Sequence, residues 1–92
     1  MIVRIMGEGQ FDLGSAELDR LNELDNQVVA AVARSDGDAF SKLFQAMLTL
    51  VKSQGRPVGA GELVTSDIVL PTADLSLDEA RGLFAGDGLI PG

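Results

Sequence analysis

The sequence predicts an α+β fold with elements in the order β-β-α-α-β-α, built as one domain over residues 1–92. Three observations carry this. Between Ser15 and Gln54, apolar residues recur every three or four positions, the period of an amphipathic helix. That period breaks once, at Asp36-Gly37-Asp38, so the stretch divides into two helices that must bury their stripes against each other. Ahead of it, a β-branched run and an alternating run flank a glycine turn. Behind it, an S-x-x-E signature precedes a short apolar segment.

Ile2 to Met6 reads as a strand, with Val3 and Ile5 on the core face and Ile2, Arg4 and Met6 on the other. Gly7-Glu8-Gly9 supplies a turn that tolerates positive φ. Gln10 to Leu13 alternates polar and apolar, so Phe11 and Leu13 should face inward and complete a β-hairpin. Ser15 is the expected N-cap of the first helix, with Glu17 in its first turn. Its stripe runs through Leu18, Leu21, Leu24 or Asp25, Val28 and Val32. Asp36 or Asp38 should cap the second helix, whose apolar arc holds Phe40, Leu43, Phe44, Met47, Leu48, Leu50 and Val51. That arc is wider than a two-helix contact needs, so it should touch the sheet as well.

Gly55 to Gly61 reads as a loop, with Gly55 past the helix end and Pro57 as a stop. Asp67 to Leu70 reads as a third short strand, ended by Pro71, joining the hairpin in one sheet. The helical hairpin should cover one face of that sheet. Ser76-Leu77-Asp78-Glu79 fits a capping box ahead of Ala80, Leu83 and Phe84 and opens a short C-terminal helix that Gly86-Asp87-Gly88 ends. The tail Leu89-Ile90-Pro91-Gly92 is apolar and should dock on the domain or on a partner.

Composition narrows the function classes. The chain has no Cys, His, Tyr or Trp, which leaves carboxylates, Lys and Arg as its acid–base groups. A formal net charge of −7 disfavours nucleic acid and direct adhesion to anionic lipid. The seven basic residues form no run. No apolar run approaches a membrane span and no secretory leader is evident, so the expected location is the cytoplasm. A chain this short buries roughly 60–65% of its unfolded surface, so association would add stability.

No constellation reads as catalytic. Gly7-x-Gly9 lacks the third glycine of a dinucleotide fingerprint, because Asp12 stands there. The Gly55–Gly61 run lacks the G-K-[ST] ending of a phosphate loop. Asp36-x-Asp38 fails as a calcium loop at Phe40 and Ser41, and helix capping explains both aspartates. Asp74, Asp78 and Glu79 gather at a helix N-terminus, where the dipole favours acids. The expectation is a chain with no cofactor and no metal, and not an enzyme.

Both ends carry a resemblance. Met1 to Phe11, then Leu21-Asn22-x-Leu24-Asp25-Asn26, begin it. Glu62-Leu63-Val64, Ser66-Asp67-x-Val69-Leu70-Pro71, Leu77 with Glu79, and Gly88 to Gly92 complete it. In this combination and order the chain resembles the PspA-associated protein family, PspAA. The resemblance implies a bacterial or archaeal, non-enzymatic partner of PspA, a coiled-coil membrane-remodelling protein of the phage-shock envelope-stress response. The membrane would be reached through that partner, at its inner face. The expected partner-facing residues are Ser66, Asp67 and Pro71 on one segment and Leu89, Ile90 and Pro91 on the tail. Two alternatives stand beside this: a homo-oligomeric structural module using the Ile2/Met6 face, and a small-ligand regulatory domain with a site beneath the Gly55–Gly61 loop.

Overall fold

The β-branched run at the N-terminus forms strand β1 (Ile2–Ile5), which pairs antiparallel with β2 (Gly9–Asp12) in register Ile2↔Asp12 to Ile5↔Gly9. This is seen in a computed structural model that describes residues 1–59, 61 and 64–84. The turn needs its glycines: Gly7 and Gly9 have φ of +81° and +109°, where a side chain is strained. The Glu8 N–H closes the turn on the Ile5 carbonyl at 2.9 Å.

Helix α1 spans Ser15–Ala33. Its cap position falls on Gly14, one residue before the expected Ser15, and no side chain caps it. The helix ends in a Schellman arrangement. The N–H of Ser35 reaches the Val32 carbonyl and that of Asp36 reaches the Ala31 carbonyl, at 3.0 and 2.9 Å. The left-handed residue there is Ser35 (φ 55°), whereas Gly37 is already the first residue of α2 (Gly37–Gln54). As expected, the Asp36 carboxylate caps α2, accepting the Ala39 N–H at 3.1 Å.

Helix α2 ends at Gly55, which has ordinary extended backbone. Glycine is required there for room. A Cβ would lie 2.5 Å from the Val51 carbonyl oxygen and 2.8 Å from the Phe11 Cβ. That close approach turns the chain straight into β3 (Arg56–Pro57), which pairs antiparallel with β2. This two-residue strand is additional to the expected elements. The expected third strand appears as β4 (Ile68–Leu70), parallel to β1. The sheet order is β3-β2-β1-β4. Finally α3 (Leu77–Leu83) opens with both halves of its capping box made, Ser76 Oγ accepting the Glu79 N–H and Glu79 accepting the Ser76 N–H.

The core lies between one face of the sheet and the α1–α2 hairpin. Val3, Ile5, Ile68 and Leu70 enter it from the strands, and Leu21, Val28, Met47 and Val51 from the helices. Phe40 and Phe44 stack at 5.6 Å between ring centroids. Phe84, just past α3, stands edge-on to both rings and thereby fastens the C-terminal segment to α2. Asp25 occupies a core position and is fully buried. Among the described residues no buried side-chain polar atom lacks a hydrogen-bond partner.

Candidate interaction surface

Because side chains alternate along a strand, burial of Val3, Ile5, Ile68 and Leu70 turns Arg4 and Val69 to the opposite face. The register sets Val69 beside Arg4 and Arg4 beside Gln10, in one row across β4, β1 and β2. Val69 and Met6 are 46% and 48% exposed, and Ile2 is half-buried. Arg4 makes no ion pair among the described residues. Strand β4 is an edge strand, with β1 on one side and no strand among the described residues on the other. An exposed edge beside apolar side chains is a surface that another chain can extend or cover.

The expected partner-facing residues bracket this edge. Before β4, the Asp67 carboxylate accepts the Ile2 N–H at 2.9 Å, and the Asp67 N–H donates to the Ile2 carbonyl at 2.8 Å. The Gln10 side-chain amide donates to the Ser66 hydroxyl at 2.8 Å and to the Val64 carbonyl at 3.0 Å. Ser66 and Asp67 therefore fasten β4 to the hairpin, while the Asp67 residue stays exposed. Pro71 is half-buried directly after β4, where its missing N–H ends the ladder. The structure thus groups Ser66, Asp67 and Pro71 around Val69. Leu89, Ile90 and Pro91 lie outside the described residues.

Most other charges are already engaged. Lys52 pairs with Glu8 at 3.1 Å and Arg34 with Asp36 at 3.8 Å, both exposed and worth at most about 1 kcal/mol each. The Asp12 carboxylate meets the Met1 amino group at 3.1 Å and the Arg56 guanidinium at 3.6 Å. Its acid is held below the usual carboxylate value, first by the hydrogen bond from the amino group, then by that group's charge, with Arg56 adding less. The acidic residues that gathered in the sequence have local partners. Asp74 accepts from Thr72, Asp78 pairs with Arg81, and Glu79 closes the capping box. No group of three or more His, Cys, Asp or Glu among the described residues is placed to hold a metal ion.

A second feature lies on the helical layer. A groove of about 460 Å³ runs along α2 where it meets α1, with Leu24, Ala46 and Leu50 as apolar lining. Arg20 and Lys42 also line it, and among the described residues no acidic one does. Neither helix alone signals this groove, since its two cations lie on different helices. The only signals were the helical spacings of Arg20 to Leu24 and of Lys42, Ala46 and Leu50.

Set against known families, the whole chain, residues 1–92, matches the family model described as PspAA, PspA-Associated protein. The chain belongs to the PspAA family. No curated protein and no solved structure matches it. The PspAA resemblance read from Met1–Phe11 and Ser66–Pro71 falls on the hairpin and on β4 with its anchors, the elements that build the exposed sheet face. No helix among the described residues is long and apolar enough to cross a membrane.

Proposed function

We propose that this chain is a non-enzymatic adaptor or regulatory partner of a PspA-type coiled-coil protein in the envelope-stress response. The observation that carries the reading is the family match over the entire chain. Residue chemistry supports it: the clustered carboxylates cap helices or pair with neighbours, and His and Cys are absent. In this reading the protein works in the cytoplasm and reaches the inner face of the membrane through its partner. The net charge of −7 complements basic stretches of that partner and speeds encounter.

The partner contact is assigned to the face around Val69, Arg4 and Met6, bracketed by Ser66, Asp67 and Pro71, with Leu89, Ile90 and Pro91 of the tail as further contact residues. The test is a titration of the full chain against purified PspA from the same organism, at two salt concentrations. Saturable binding that Val69→Asp weakens about tenfold or more supports adaptor and surface together, since a charge set into an apolar contact costs at least that. Absence of binding between two folded proteins would overturn the adaptor role.

Self-assembly is the second reading. The β4 edge, which pairs with no further strand among the described residues, favours it, because edge strands template pairing with another copy. Light scattering at high concentration decides: a strict monomer removes it.

A further inference from the structure

The groove on the helical layer has a charge that contradicts the molecule around it. The chain carries 14 acidic and 7 basic residues, so surface patches should on average be negative. Among the described residues, the lining of this groove holds two cations and no anion. Neither cation is in an ion pair among the described residues. Asp38 lies one turn before Lys42, the favourable order for an i,i+4 pair, yet no ion pair forms. Glu17 and Glu23 stand three residues either side of Arg20, and it too makes no ion pair among the described residues. Of the seven basic residues, four are paired among the described residues: Arg34, Lys52, Arg56 and Arg81. Two of the remaining three line one groove.

Its shape suits a helix. Lys42, Ala46, Leu50 and Ser53 follow one another at helical spacing along α2, and Arg20 and Leu24 lie one turn apart on α1. At 1.5 Å per residue, the α2 side of the groove extends about 18 Å, roughly three turns of a docked helix. Ala46, with its short side chain, leaves space between the longer residues. The strands contribute nothing to the lining, so the groove is separate from the β1–β4 face.

From this we infer that the α1–α2 groove receives an amphipathic helix of the partner whose apolar stripe is flanked by carboxylates. The stripe packs over the half-buried Leu24 and Ala46, with the buried Leu50 as the floor between them, and the carboxylates meet Arg20 and Lys42. This deepens the adaptor reading and rests on it, because it names the chemistry of the partner segment. It also gives the molecule two contact faces, one on the sheet and one on the helices.

The test uses the full chain and purified PspA from the same organism. Arg20→Glu/Lys42→Glu reverses the groove charge at exposed positions, and circular dichroism checks that the helices remain. Lys42→Glu alone is compared with Arg34→Glu, the same charge change outside the groove. The expected result is a loss of affinity of about tenfold or more for the double reversal, shrinking at high salt, as partly exposed charge contacts do. Lys42→Glu should weaken binding while Arg34→Glu leaves it within about twofold, the usual effect of a charge outside the contact. If the wild-type chain binds and the double reversal binds equally well or more tightly, the groove assignment is overturned and the adaptor role stands. If the wild-type chain does not bind, the adaptor role falls and the groove assignment falls with it.

Discussion

On β1 and β4, neighbouring residues meet opposite environments. Leu70 is fully buried and Val69, one residue earlier, is 46% exposed; Ile5 is fully buried and Arg4 is exposed. The inner residues belong to the same buried core as Leu21, Met47 and Val51, and the outer ones face solvent. Both faces carry apolar residues, so hydrophobicity does not separate them. The separation comes from the helical hairpin, which covers only one side. Stability and recognition can therefore be assigned to alternate residues of the same short strands, and each can be altered without the other.

The adjacent pair Leu70 and Val69 is the sharpest way to break this contrast. Leu70→Ala removes a fully buried side chain beside β1 and should cost about 2–5 kcal/mol in urea unfolding. For a domain of this size that is a large share of a total of about 5–15 kcal/mol. Val69→Asp, on the exposed face, should change the same unfolding free energy by only about 0.5 kcal/mol, as surface changes do. Its effect should appear in the partner titration instead. If Val69→Asp unfolds the protein as Leu70→Ala does, the outer face is structural and the two faces are not separable.

This division was largely legible in the sequence, because it rests on period. Val3 and Ile5 alternate with Arg4, and the capping box at Ser76 and Glu79 is complete within four residues. What escaped depends on residues far apart. Strand β3 has two residues, too few for a pattern, and exists because Pro57 meets Phe11 across the chain. Ser66 and Asp67 stood out as partner-facing, but nothing local indicates that they also bond Gln10 and Ile2, 56 and 65 residues away. The glycines of the hairpin turn, Gly7 and Gly9, have the positive φ expected of them, but two other glycine signals misled. Gly37 looked like the turn residue, yet the positive φ falls on Ser35. Gly55 looked like a left-handed terminator, yet its φ is −79°. The groove beside Arg20 and Lys42 needs the lateral alignment of α1 with α2, which no single helix encodes.

Gly55 gives the next largest effect and probes how the inner face is closed. Gly55→Ala puts a methyl group against the Val51 carbonyl and Phe11, both firmly held. Neither neighbour can yield as the tip of a long side chain would. The expected cost is about 1–3 kcal/mol, typical of forcing atoms into a packed site. The β2–β3 pairing should loosen first, and amide exchange at Val58, whose N–H bonds the Gln10 carbonyl at 3.0 Å, should report it. Unchanged stability and exchange would mean that α2 can end differently, and that β3 is not fixed by this close approach.

The smallest effect belongs to the exposed rim of the sheet. The Asp12 carboxyl is held below its ordinary value chiefly by the Met1 amino group, with Arg56 assisting. A carboxyl whose folded-state value is lowered stabilises the fold above its unfolded value, near pH 4, and loses that contribution as pH falls through the lower folded value. The wild-type chain should therefore lose part of its stability on acidification below about pH 4. Asp12→Asn should start slightly less stable at pH 7 and lose less over the same interval. Urea midpoints at pH 7 and at about pH 3 for both chains measure this. Parallel losses in the two would show that the amino-terminal contact contributes nothing to the fold. The outer face would then gain no stability even at its rim, which makes the contrast with the inner face still sharper.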